Sequence, residues 1–209
     1  MASRRKPSKV TRFWNRSFFP PVLILCVVLA VASPFLLTGW HTDAVPYDWG
    51  LLYTGAELAR RAWINWAPYF SWVPWVCGGV PSANENTMKL FDPPSILAIF
   101  IGVLPAEKWV YVLWQALGAW GTARVIKRLI PAAGLEVTAT AGLVFGLQGF
   151  FLYHLRPGHF GFAPFAAFPW LFEGFLLGDA LLVSSILGFM LLTLGSEEAA
   201  HFALFSVYM

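Results

Sequence analysis

The chain has 209 residues, is 58% hydrophobic, only 12% charged, and carries a formal net charge of +3. A soluble domain carries about 25% charged residues, so these few charges cannot cover an ordinary water-facing surface. The positive excess is local (Arg4, Arg5, Lys6, Lys9, Arg12 and Arg16), which excludes a nucleic-acid-binding stripe and marks a segment end held in the cytoplasm.

That basic stretch is a cytoplasmic N-terminal tail over 1–19. The rest, 20–209, reads as one all-α, polytopic transmembrane domain of about five spans, with an external amphipathic helix and a short re-entrant segment. The first span is predicted from Pro21 to Trp40. Ala30-Val-Ala-Ser33 resembles a signal-peptidase site, but the apolar run continues through Pro34-Phe-Leu-Leu37, so the helix is read as retained. Cys26 in this helix and Cys77 beyond it lie at different depths and make no disulfide framework.

A large external loop follows at 41–108. Within it, Trp49 to Trp63 spaces its apolar residues helically and sets Glu57, Arg60 and Arg61 on another face. This predicts an amphipathic helix at the interface. The next stretch is aromatic and turn-rich. Pro93 to Leu104 is apolar but, at about twelve residues, reaches only about 18 Å against roughly 30 Å of hydrocarbon. It is read as re-entrant or interfacial. Trp109 to Ala123 then runs inward and leaves Arg124, Lys127 and Arg128 in the cytoplasm. Val137 to Leu155 returns outward to an external turn, Arg156-Pro-Gly-His159. Phe160 to Leu177 goes in, with Glu173 near its inner end, and Ala180 to Leu194 comes out. The chain is placed as a multi-pass protein of the cytoplasmic membrane with its N-terminus inside and the lipid bilayer as its first partner.

On this topology the polar residues that are not anchors gather outside: Asp43, Asp48, Asn84, Glu85, Asn86, His154, Arg156, His159, Glu197, Glu198 and His201. Carboxylates there can serve as a general base on a hydroxyl or hold a divalent cation. Arg and His can hold a phosphate or diphosphate, and Glu85 joins Arg156 and His159 as a candidate substrate contact. A solvated loop end is the plain alternative for each residue taken singly. No Gly-rich phosphate loop, HExxH or CxxC pattern is present, and no inverted repeat points to a transporter.

The order of features is more specific. An acidic loop, Thr42-Asp43-Ala-Val-Pro-Tyr-Asp48, precedes the amphipathic helix. Then come Trp72-Val-Pro-Trp-Val-Cys-Gly-Gly-Val-Pro81, Phe91-Asp-Pro-Pro94, Gly121-Thr-Ala-Arg124, Gly142 to Gly149, His159 and Phe168-Pro-Trp170. The series resembles the N-terminal half of GT-C-type polytopic membrane glycosyltransferases, the YfhO-like and related families. The resemblance implies transfer of a sugar from a polyprenyl-phosphate carrier to an acceptor on the external face. It places an acid of the first external loop, Asp43 or Asp48, beside the acceptor, and Arg156 and His159 toward the carrier phosphate. Such families have about twice as many spans, so the chain is read as an N-terminal portion, with Met209 either a truncation or a natural end. The alternative is a non-catalytic integral membrane subunit that keeps part of this fold and packs on membrane protein partners through faces such as Gly118-Ala-Trp-Gly121.

Overall fold

The computed structural model describes residues 19–37, 49–65, 92–155 and 160–193. These residues form eight α-helices and one 3-10 segment, and among them there is no strand. The helices are α1 (Phe19–Leu37), α2 (Trp49–Asn65), α3 (Pro93–Ile101), α4 (Val103–Leu129), α5 (Leu135–Gly146), α6 (Gly149–Leu155), α7 (Phe168–Leu177) and α8 (Ala180–Thr193). The 3-10 segment, Phe160–Ala167, leads directly into α7.

The 27-residue α4 is the mast of the fold. It packs against α1, α2, α3, α5, the 3-10 segment and α7. Small residues make this crowding possible. Ala116, Ala119 and Ala123 of α4 receive Ile24 and Val28 of α1. A Cβ on Gly146 of α5 would lie 2.7 Å from the Gln115 carbonyl oxygen, and one on Gly118 would lie 2.9 Å from that of Ala166. Backbones this close gain dispersion contacts that larger side chains would prevent.

Contacts along α4 fix the direction of its neighbours. Pro21 and Val22 of α1 share a groove with Leu117 and Trp120, whereas Phe35 lies beneath Lys108, so α1 is antiparallel to α4. Helix α5 runs back the same way, with Gly142 at Ala119 and Ala123 and Gly146 at Gln115. The Tyr111 hydroxyl then donates to the Phe151 carbonyl of α6. Helix α7 runs with α4, from Trp170 at Gly121 to Glu173 at Arg124 and Arg128. Helix α8 turns back at Gly178, with Val183 against Gly174 and Phe189 on the Trp114 ring. The bundle therefore has a basic end, at Arg124 to Leu129, and an aromatic end, at Val103 to Tyr111.

Three boundaries differ from the sequence expectation. The apolar segment at Pro93 is a helix that stops at Gly102, where φ is +83°, a conformation open to glycine at little steric cost. The chain resumes at once as α4, so the predicted Trp109 to Ala123 helix is longer at both ends and the loop at 41–108 closes on helical turns. The predicted helix from Val137 to Leu155 is two helices that break at Leu147 and Gln148, between Gly146 and Gly149, where helix propensity is poorest. The run from Phe160 to Leu177 changes from 3-10 to α at Phe168. Pro169 falls in the first turn of α7, where its missing N–H leaves no hydrogen bond unmade.

Among the described residues no helix is long and apolar enough to cross a membrane. Helix α1 comes nearest, with 19 residues or about 28 Å at 1.5 Å per residue. Helix α4 is longer but carries Glu107, Lys108, Arg124, Lys127 and Arg128.

Candidate functional site

All five residues assigned to the site from sequence, Asp43, Asp48, Glu85, Arg156 and His159, lie outside the described residues. The described elements that adjoin them nevertheless converge. Helix α2 begins directly after Asp48, and its Ala56 packs with Ala98 of α3 and with Val103 and Ala106 at the start of α4. Helix α6 ends directly before Arg156 and is fastened to the same stretch of α4 by the Tyr111 to Phe151 hydrogen bond. The 3-10 segment begins directly after His159. Elements that adjoin Asp48, Arg156 and His159 in sequence therefore pack near one end of the bundle, the aromatic one.

The packing of α6 on the 3-10 segment there is mostly aromatic. The His154 ring stacks on Phe162 at 3.9 Å between centroids and meets the edge of Phe150 at 4.6 Å. Phe150 in turn packs on Phe151, and Tyr111 and Phe151 are almost wholly buried. Stacked rings of this kind are stiff contact surfaces, each pair adding about 0.5–1.5 kcal/mol beyond area burial. Lys108 is buried at 3% exposure, with its ammonium 5.2 Å from the Phe35 ring centre, within cation–π range. Sequence reading took Lys108 as the end of a loop. It is a helix residue facing inward, and nothing in its neighbourhood in sequence signalled that.

Helix α2 carries its own charge cluster. Glu57 accepts hydrogen bonds from Arg60 Nε at 2.7 Å, Arg60 Nη2 at 2.8 Å and Arg61 Nε at 2.8 Å. The Arg60 hydrogen bonds, opposed by partial burial and helped by Arg61, hold its carboxyl down from 4.5 to about 2. A depressed folded-state value stabilises the fold above the unfolded value, and the gain is lost as pH falls through the folded one. Glu57→Gln should therefore be less stable than the parent by about 0.5–1 kcal/mol near neutral pH, the range of accessible ion pairs. The gap between their unfolding midpoints in detergent should close as pH drops from 4.5 through about 2.

At the opposite end, Glu173 is fully buried and is clamped by two arginines. Arg124 donates through Nε at 2.8 Å and Nη2 at 3.0 Å, and Arg128 donates through Nε. Trp170 donates from Nε1 to the Leu117 carbonyl at 2.9 Å and meets Trp120 edge-on, and Arg124 lies over both rings. A carboxylate receiving three charge-assisted hydrogen bonds is committed to holding α7 on α4 and is ill placed to take a proton from a substrate. Sequence reading set Glu173 and the basic group on the same side without pairing them.

Among the described residues no three His, Cys, Asp or Glu side chains are grouped to hold a metal ion. The acids that would serve a divalent cation, Asp43, Asp48 and Glu85, lie outside them. Comparison with protein-family models, with curated proteins and with solved structures finds no match to this chain.

Proposed function

We propose that the chain is a polytopic protein of the cytoplasmic membrane and a GT-C-type glycosyltransferase or part of one. It transfers a sugar from a polyprenyl-phosphate carrier to an acceptor at the aromatic end. Asp48 or Asp43 takes the acceptor proton, and Arg156 and His159, with Glu85 beside them, receive the carrier headgroup. The observation that carries this reading is the convergence of α2, α6 and the 3-10 segment. Asp48, Arg156 and His159 each adjoin one of these elements in sequence, and an acid with an Arg–His pair is the combination that glycosyl transfer from a phosphate leaving group uses.

Membrane embedding is supported by the apolar side chains left outside the bundle. Leu37, Phe100, Val144 and Leu181 are each more than two-thirds exposed, and large side chains of this kind recover about 1.5–3 kcal/mol each when removed from water. The uncharged run of α1 continues in sequence to Trp40. The end of α1 that follows the basic tail in sequence lies beside Trp120, on the side of Arg124, Lys127 and Arg128, the arrangement the positive-inside rule favours.

Asp48→Asn and Asp43→Asn, assayed for sugar transfer in membranes supplied with lipid-linked donor, should separate the two acids. Loss of the base lowers the rate by about 10²–10⁴-fold, and full activity in the double variant would remove the proposed chemistry. A non-catalytic subunit is the second reading. The outward apolar residues of α5 and α8 favour it, and migration as a lone monomer after gentle extraction would count against it.

A further inference from the structure

The face of α4 that leads to the basic end carries a feature that sugar transfer does not use. A groove of about 590 Å³ runs along α4 between α1 and α8, and its lining is almost entirely apolar. On α4 it extends from Val110 to Trp120, ten residues or about 15 Å at 1.5 Å per residue. That is half of the roughly 30 Å hydrocarbon thickness, the depth of one leaflet. The groove is open at its sides: Val22 is 40% exposed, Leu113 48% and Phe189 42%.

Leu113, Leu117, Trp120, Arg124 and Arg128 follow each other at three- and four-residue steps, so they lie on one face of α4. The apolar groove therefore runs directly into the two arginines. Trp120 belongs to both: it lines the groove, and Arg124 lies 5.9 Å from its ring centre. The arginines are not consumed by Glu173. A guanidinium has five N–H donors, Arg128 contacts Glu173 through Nε, and the two side chains remain 40% and 41% exposed. Two arginines against one carboxylate leave one positive charge in the cluster, and Lys127, on the next turn, adds another while its ammonium holds the Pro131 and Ala133 carbonyls. A cationic cluster closing an apolar trough one leaflet deep is complementary to an anionic lipid.

We infer that the groove and the Arg124–Arg128 pair together hold one anionic phospholipid of the leaflet facing the basic tail. One acyl chain lies along Leu113, Leu117 and Trp120, and the phosphate sits on the two guanidinium groups. The inference rests on the membrane embedding proposed above but not on glycosyl transfer.

The test is native mass spectrometry of the full chain, extracted in mild detergent and offered phosphatidylglycerol or phosphatidylcholine with identical chains. Phosphatidylglycerol should be retained about tenfold better, because both lipids carry the phosphate but only phosphatidylcholine adds a cation that cancels its net charge and repels the arginines. Arg128→Gln, which leaves the paired donors of Arg124 on Glu173, should erase that preference. Leu113→Trp, at an exposed position, should weaken both lipids by filling the trough. Inorganic phosphate should displace neither. Equal retention of the two lipids, an unchanged preference in Arg128→Gln, or displacement by phosphate alone would overturn the inference. Alkaline carbonate extraction separates the failures. A chain that stays in the membrane yet shows no preference refutes the lipid site only, and a chain released to the supernatant refutes the embedding and the site together.

Discussion

Replacing Arg124 and Arg128 together by methionine should destabilise the bundle by about 3–5 kcal/mol, the range for a buried ion stripped of its partners. The figure belongs to Glu173, which is fully buried while both arginines are about 40% exposed. Either arginine alone leaves the carboxylate with a charged donor, so each single substitution should cost about 1.5–3 kcal/mol, the worth of hydrogen bonds to a charged group. Glu173→Leu should cost less than the double arginine change, because half-exposed guanidinium groups can turn to water or headgroups when freed. Adding Glu173→Leu to the double variant should recover much of the loss, since an apolar replacement of a whole ion cluster is often neutral or better. Chemical or thermal unfolding in detergent reads all five. A Glu173→Leu cost equal to or above that of the arginine pair would mean that the cluster is held by the arginines' needs rather than by the buried carboxylate.

Alternation of direction was legible in the sequence because it depends on charge and on segment length. The charge groups in the sequence imply that α1, α5 and α6 run against α4 and that α7 runs with it, and the contacts along α4 show that relative alternation. The helical spacing at Trp49 likewise gave α2 to within its ends. Boundaries were less legible, because an apolar run looks the same whether it is one helix or two. Gly146 to Gly149 reads as a tolerable weakness, and the break falls there, between the contact of Gly146 with α4 and the Tyr111 to Phe151 hydrogen bond. Gly102 reads as one apolar residue among others, and its positive φ is what folds α3 back on α4. The Glu173 cluster joins residues 45 and 49 apart, a distance at which pairing follows from helix register and not from pattern. The site assigned from sequence falls on loops, where polar residues have no periodicity to place them. What the fold contributes is the packing of α2, α6 and the 3-10 segment near one end of α4.

Gly142→Val tests the tightest glycine contact among the described residues. A Cβ at this position would collide with the Ala119 carbonyl oxygen and meet the Ala123 Cβ at 3.3 Å. The first obstacle is main chain, which has no rotamer to change, so α4 and α5 must move apart. Overpacking of this kind costs about 1–3 kcal/mol, and the rigid obstacle puts the expected value near the upper figure. Ala119 also contacts Gly146 and packs against α1, so a displacement of α5 reaches α1 and the run into α6 that precedes Arg156. The variant should therefore lose sugar transfer more than its residual stability alone would predict. Gly188→Ala is the matched control. It is also a helix glycine, on α8, but nothing lies within 4 Å of its added Cβ, so it should stabilise by about 0.5–1 kcal/mol through backbone entropy and leave transfer unchanged. Equal unfolding midpoints for the two variants would mean that α4 and α5 are not in the contact that Gly142 and Ala119 require.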